Sequence, residues 1–228
     1  MLLDEELTRQ AAVLADLGYP DDVRTEAKAL LDPLRDRLGD EVTSDPERAS
    51  FVLVPGPAVL PITQRVPMLR LGTRPGTLSR HFADVETFRP TVDVPDAVVY
   101  AVVGIERGEE FCSVRPAEAA AVIEGRGRTM LTIEEGLAFL HAVPAALEKN
   151  KCFHTAASRG TDRRVPALWI SDRAPHLGWC WENNHHTWLG VASAEARITP
   201  RNHEGRASRG QGRASAGTPE KRVTVGPA

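Results

Sequence analysis

The sequence of 228 residues lacks the features that mark several common classes of protein. It holds only three cysteines, far apart along the chain, so we expect no disulfide framework and a reducing, cytoplasmic compartment. The acidic N-terminus MLLDEELTRQ lacks the basic and then apolar pattern of a signal peptide. No apolar run approaches the ~20 residues that span a bilayer, and no membrane partner is expected.

Phosphate-binding motifs are also missing, because neither GxxxxGK[ST] nor GxGxxG occurs. The net charge is −3; residues 199–228 hold six basic and two acidic residues, a net +4, so the rest of the chain carries −7. A mildly acidic body is a poor partner for a nucleic-acid duplex, and nucleic-acid binding is not expected. The Gly-, Arg- and Ser-rich residues 199–228 predict a disordered basic tail. This tail is either an RNA-contacting segment, an extension without a role, or the product of a shifted reading frame.

Residues 1–198 predict a single α+β domain, in which N-terminal helices pack on a mixed or antiparallel sheet. Residues 4–39 show helical spacing of apolar side chains in two segments that end at Gly18 and Gly39. A helical hairpin is the expected structure, with Pro33 breaking its second helix and Asp32 capping the continuation. A homodimer formed through this hairpin is the alternative use of its apolar side.

Apolar runs and capping signals predict the helices and strands in the middle of the chain. The sequence Thr-x-x-Glu at Thr132 and Glu135 is a capping box that starts a helix, and Pro116 starts a shorter one. Short strands are expected at Phe51–Pro55, Val59–Val66, Ala97–Ile105 and Phe111–Val114. Because Ala97–Ile105 is nearly continuous in apolar residues, we expect it to be a central strand covered on both faces.

The segment 152–190 is the richest in side chains that bind ligands, with all four tryptophans and four of the seven histidines. Turn residues divide it into a predicted antiparallel β-meander with strands at 152–158, 165–171 and 176–181. If residues 172–175 form the second turn, Ser171 pairs with His176, Leu168 with Trp179 and Trp169 with Gly178.

Alternation along these strands sorts the side chains onto two faces. The face expected to meet the core holds Pro166, Leu168, Ile170, Leu177, Trp179 and Trp181. The other face holds Ala167, Trp169, Ser171, His176, Gly178 and Cys180, with the indole of Trp169 expected over Gly178. The candidate ligand-binding residues are Trp169, His176 and Cys180 on this second face, and a rim of Arg163, Arg164, Asn183, His185, His186 and Trp188.

Two kinds of reactive site compete with simple binding. Thiolate and imidazole groups at Cys152, His154, Cys180 and His186 suit zinc, but no CxxC pair exists and no metal or cofactor is expected. Cys180 with a loop histidine is the alternative, a small hydrolase or transferase. His176 lies four residues along the same strand, ~13 Å away, which is too far for proton transfer. A non-catalytic module that binds a small molecule or a protein is therefore the leading hypothesis.

The segments DRRVPALWIS, LGWCW and HTWLG resemble a family of uncharacterised bacterial proteins from high-GC, actinobacterial-type genomes, a domain of unknown function. The segments LTIEEGLAFL and FVLVPG fit the same family, and the resemblance spans about residues 2–198. It implies an α+β domain with no established activity, and it assigns no catalytic residue.

Overall fold

The computed structural model describes residues 1–200, which adopt an α+β fold. The tail predicted at 199–228 lies outside the described residues, apart from Thr199 and Pro200. The α-helices of the described part are α1 (Leu3–Asp16), α2 (Asp21–Ala27), α3 (Leu31–Leu38), α4 (Ile62–Arg65), α5 (Pro116–Gly125) and α6 (Ile133–Ala142). The strands are β1 (Arg48–Pro55), β2 (Arg70–Leu71), β3 (Arg74–Pro75), β4 (Thr77–Leu78), β5 (Arg89–Pro90), β6 (Val99–Glu106), β7 (Thr129–Met130), β8 (Cys152–His154), β9 (Ser158–Arg159), β10 (Arg164–Ser171), β11 (Ala174–Trp181), β12 (Leu189–Val191), β13 (Ser193–Ala194) and β14 (Ala196–Ile198).

Strand β6 is the centre of the first sheet, as its continuous apolar sequence predicts. It pairs antiparallel with β1 on one side and with β13 and β14 on the other. Tyr100 and Val102 face one buried cluster, whereas Ala101 and Val103 face another. The strand is therefore covered on both faces, and each face supports a separate layer of helix.

Helices α1, α2 and α3 form the layer over one face of this sheet. Gly18 (φ +91°) and Gly39 (φ +80°) end α1 and α3 in backbone conformations that favour glycine. The second predicted helix is broken, but the break is a 3₁₀ turn at Lys28–Leu30, and Asp32 does not cap α3. The apolar side of the hairpin is buried in the chain's own core, so a dimer through these helices would use their outer side.

A buried amide joins α1 to the sheet beneath it. The side-chain nitrogen of Gln10 donates to the carbonyl of Phe51 at 3.1 Å, and the amide N–H of Leu53 donates to its side-chain oxygen at 2.8 Å. Both polar ends of Gln10 are thus satisfied away from water. This pairing positions α1 along β1.

Helix α6 is buried on all sides and separates the two large sheets. The capping box is present: the N–H of Glu135 donates to Thr132 Oγ1 at 3.3 Å, and the N–H of Thr132 donates to Glu135 Oε2 at 2.8 Å. A Cβ atom on Gly136 would lie 2.3 Å from Thr155 Cγ2. Glycine at this position lets the second sheet approach the helix closely.

Two predicted strands are wrong. Residues 62–65 form α4, because Pro61 sits at its N-cap and Arg65 turns inward to donate to three backbone carbonyls, those of Pro55, Gly56 and Leu60, at 2.5–2.8 Å. The segment Phe111–Val114 does not pair with β6. A 3₁₀ turn at Glu109–Phe111 starts from Gly108 (φ +80°) and leads the chain towards α5.

The second sheet carries the tryptophan-rich segment. Its strand order is β12-β8-β10-β11-β4, with antiparallel pairs at its centre and a parallel pair at each edge. Phe153, Leu168 and Leu177 share the face that packs towards α6. Among residues 1–200, no helix has the length and apolar character needed to cross a bilayer.

The carboxylate of Glu135 links α6 to the first sheet. It is fully buried and accepts hydrogen bonds from the hydroxyl of Tyr100 at 3.0 Å and from Arg197 Nε at 2.6 Å and Nη2 at 2.8 Å. Burial and the neighbouring Glu135 carboxylate raise the pKa of Tyr100 well above its ordinary value, so its hydroxyl stays a donor.

We expect Glu135→Ala to lower the free energy of unfolding by about 3–5 kcal/mol, because it leaves Arg197 buried without its partner and removes the helix cap. Urea denaturation followed by circular dichroism measures this loss. Glu124→Ala, at an exposed position of α5, is the control and should change stability by no more than about 0.5 kcal/mol. Equal effects of the two substitutions would contradict the structural role of Glu135.

Candidate functional site

The hairpin of β10 and β11 turns on two residues instead of the expected four. Asp172 (φ +50°) and Arg173 (φ +63°) occupy the turn, and Ser171 pairs with Ala174. Positive φ at both central residues is typical of a type I′ turn, whose twist matches that of the flanking strands. The predicted register is therefore wrong by two residues: Leu168 pairs with Leu177 and Trp169 with His176.

The predicted assignment of side chains to the two faces is still correct, because shifting the register by two residues leaves each side chain on the same face. Trp169 lies opposite His176, with ring centroids 4.9 Å apart. Its indole also reaches diagonally over Gly178, where a Cβ atom would lie 2.2 Å from Trp169 Cη2. The expected cover of Gly178 by Trp169 is thus present through a diagonal contact.

Strand β8 and the loop 182–188 add two histidines to this face. His154 pairs directly with Ala167, so its side chain points to the same side as that of Trp169. Trp188 packs edge-on against Trp169 at 6.4 Å, and His186 packs against Trp188 at 5.4 Å. We call these four successive rings the aromatic row: His176, Trp169, Trp188 and His186.

Two buried imidazole nitrogens on this face have no hydrogen-bond partner. They are His154 Nδ1 and, within the aromatic row, His186 Nε2. The side chain of His154 is almost fully enclosed, with 2% of the residue exposed. Burial, with the nearby His186, lowers the pKa of His154 to about 3, and burial also lowers the pKa of His186. His154 is therefore neutral at pH 7, with one ring nitrogen as donor and one as acceptor.

Cys180 lies half-buried on the same face, across from Val165. Burial raises the pKa of its thiol to about 11, and within residues 1–200 its sulfur makes no side-chain hydrogen bond. The nearest histidine along its strand, His176, directs Nδ1 to Thr77 Oγ1 at 2.8 Å. Since the thiolate is the nucleophile, this environment gives an unreactive cysteine.

The rim of the face is charged, and one carboxylate there contacts two guanidinium groups. Glu182 contacts Arg159 at 3.7 Å and Arg163 at 3.5 Å. Asn183 and His185 are exposed on the loop beside them. Arg159, Arg163 and Glu182 together carry a net charge of +1.

Arg164 lies apart from the other predicted site residues, on the opposite face of the hairpin. It donates to Asp84 (Nη1, 2.9 Å) and Asp162 (Nε, 2.7 Å), and the bond to Asp84 raises its pKa further. Its guanidinium also lies 5.3–5.9 Å from three ring centroids, those of Phe82, Phe88 and Trp179. With its donors engaged, Arg164 stabilises this face and is not placed to bind a ligand at the aromatic row.

Trp181 was expected in the core, and this expectation is wrong. It is 47% exposed and packs on one side against Trp179, at 4.9 Å between ring centroids. It occupies the last position of β11, opposite the first residue of β10, so the hairpin offers it no further neighbour.

The sequence offered Cys152, His154, Cys180 and His186 as donors that suit zinc, although no metal was expected. Among residues 1–200, no group of three or more His, Cys, Asp and Glu side chains is positioned to hold a metal ion. Cys152 is buried, and burial raises the pKa of its thiol to about 11.

A cleft of about 1020 Å³ was not predicted from the sequence. Four carboxylates line it, those of Asp22, Glu26, Asp93 and Asp96. Arg197 also lines it, but its guanidinium is bound by Glu135. The acidic residues come from distant segments that only the fold brings together; the Asp-x-Pro-Asp sequence at 93–96 was the one local signal.

Comparison with known proteins gives one match. The family model described as "Family of unknown function (DUF5701)" matches residues 13–200. No curated protein and no solved structure matches the chain.

We expect Gly178→Ala to displace the indole of Trp169 and to lower the free energy of unfolding by about 1–3 kcal/mol, because the new methyl group overlaps the ring. Urea denaturation and the chemical shift of the Trp169 indole N–H report the two effects. Gly125→Ala, where the added Cβ meets no atom within 4 Å, is the matched control and should not destabilise the protein. An unmoved indole resonance in Gly178→Ala would contradict the contact.

Burial of neutral His154 should also make the protein less stable in acid. The unfolded chain takes up a proton on His154 below pH 6.5, whereas the folded chain resists until about pH 3. The free energy of unfolding should therefore fall as the pH falls from 6.5 towards 3, by up to about 1.4 kcal/mol per pH unit for this group. His154→Gln should flatten this slope in urea titrations between pH 7.5 and 5, while exposed His185→Gln should keep it. An unchanged slope in His154→Gln would refute the assignment.

Proposed function

We propose that this chain, which belongs to the family of unknown function DUF5701, is a non-catalytic binding protein for a small molecule. The binding site is the face of the second sheet that carries the aromatic row, with His154 at its base. Arg163, Asn183 and His185 form the exposed rim, and Cys180 lies on the floor beside Gly178.

The observation that carries the proposal is the pair of unpartnered nitrogens, His154 Nδ1 and His186 Nε2. Buried polar atoms are nearly always hydrogen-bonded, since an unsatisfied one costs about 1–3 kcal/mol. Two such atoms, on histidines that both belong to this face, indicate that a partner outside the chain completes them. A bound molecule with polar atoms would supply both hydrogen bonds.

The surroundings of the two nitrogens suit a ligand that is partly apolar. Trp169, Trp188 and His176 are each half-buried, so each presents ring surface that solvent still reaches. Binding sites for small molecules combine such apolar and aromatic walls with a few polar groups at fixed positions. The aromatic row provides the walls, and His154 with His186 provides the polar groups.

The alternative enzyme, with Cys180 as nucleophile, lacks this kind of support. Its thiol is protonated at neutral pH because burial raises its pKa to about 11, and no histidine within residues 1–200 donates to or accepts from its sulfur. A cysteine nucleophile needs a lowered pKa or an adjacent base. The same three free cysteines fit a cytoplasmic location, which is part of the proposal.

We expect a screen of small aromatic and aliphatic fragments, followed by protein-observed NMR on the full chain, to find compounds that shift the Trp169 and Trp188 indole signals. His154→Phe should weaken these compounds at least about tenfold, the effect of losing ~1.4 kcal/mol of hydrogen bonding. Trp181→Phe, on the opposite face, should leave their affinity unchanged.

Circular dichroism and thermal unfolding first establish that each variant is folded, and Trp169→Phe gives a second, milder change in the same site. The proposal would be abandoned if no fragment shifts these signals. It would also be abandoned if the compounds bind His154→Phe and Trp169→Phe as well as the unmodified protein.

A further inference from the structure

We infer that the ligand of this face is a planar aromatic molecule with a neutral, amide-like edge, the chemistry that aromatic carboxamides and nucleobases share. This inference rests on the proposed binding function and specifies its ligand class. Three properties of the site lead to it: the charge state of its surroundings, the atoms it leaves unpaired, and the shape of its walls.

The site favours a neutral ligand, because the guanidinium of Arg159, which influences His154, already contacts the carboxylate of Glu182 at 3.7 Å. Glu182 also contacts the exposed Arg163 at 3.5 Å. His154 itself stays uncharged, held so by burial. An anion buried here would lose its hydration and compete with Glu182 for Arg159, and a cation would meet only neutral imidazole rings.

The unpaired atoms favour an edge that both donates and accepts. A neutral imidazole has one N–H donor and one acceptor nitrogen, so His154 Nδ1 and His186 Nε2 together can present a donor and an acceptor. A primary amide offers the complementary acceptor and donor a few ångströms apart. A hydrocarbon ligand would leave both nitrogens unsatisfied, at the usual cost in free energy.

The walls favour a flat ring. Trp188 stands edge-on to Trp169 with an angle of 72° between their planes, and the His176 ring is tilted by 59° to Trp169. Such inclined rings leave indole surface on which a planar group can stack or pack edge-to-face. A puckered aliphatic ring makes poorer contact with these surfaces.

His186 reaches this face from the loop 182–188. Within this loop His186 is fastened through its backbone, where its carbonyl accepts a hydrogen bond from the N–H of Ser113 at 2.8 Å. The residues on either side of it, His185 and Thr187, are exposed. His186 is thus held in place by its backbone between two residues that solvent reaches.

Three matched probes test the inference on the full chain by NMR titration. Benzamide is planar and neutral, benzoate is planar and anionic, and cyclohexanecarboxamide is neutral but not planar. Benzamide should shift the signals of His154, His186 and the Trp169 indole. Benzoate and cyclohexanecarboxamide should each bind at least about tenfold more weakly, and His154→Phe should abolish the preference for benzamide over benzoate.

The outcomes separate this inference from the function on which it rests. If benzoate or cyclohexanecarboxamide binds at these residues as tightly as benzamide, the ligand class is wrong and the binding function stands. If none of the three binds here but other fragments do, the ligand class is again wrong. If nothing binds this face and the two nitrogens hold only an ordered water, both the ligand class and the proposed function are overturned.

Discussion

The buried carboxylate of Glu135 is the interaction on which the rest of the structure depends. It caps α6 through Thr132 and at the same time receives Tyr100 from β6 and Arg197 from β14. A charge so far from water is tolerated only when it is paired and hydrogen-bonded, which fixes the position of each partner. Because α6 lies between the two sheets, this one group determines where the second sheet, and the aromatic row on its far side, can sit.

Local signals were enough to predict the parts of the fold that depend on neighbours in sequence. The capping box at Thr132 and Glu135 and the doubly covered strand β6 follow from side-chain patterns within ten residues. The two faces of the hairpin were also predicted, since alternation has a period of two whatever the register. Trp169, His176 and Cys180 were therefore placed together correctly, although their partners across the strands were not.

The rest depends on contacts that the sequence does not encode locally. The sequence Asp172-Arg173 does not predict a type I′ turn, because such turns usually contain Asn or Gly. The length of the turn was therefore overestimated. His154 and His186 come together because β12 pairs parallel to β8, a long-range arrangement with no signature in spacing. The same holds for the acidic cleft. These features were missed because tertiary packing, not periodicity, creates them.

The parallel pairing of β4 with β11 has a consequence for how the molecule folds. The hydrogen bond between Thr77 and His176 joins residues 99 positions apart, whereas the hairpin that presents His176 closes over two residues. Closing a long loop lowers the conformational entropy of the chain before the new contacts stabilise it. Such pairings therefore form slowly and late. The hairpin can form early by itself, but the aromatic row needs β8, β12 and the loop 182–188 around it. The face that carries the aromatic row is thus expected to be among the last parts of the chain to form, so a newly made molecule would be compact before its proposed binding site exists.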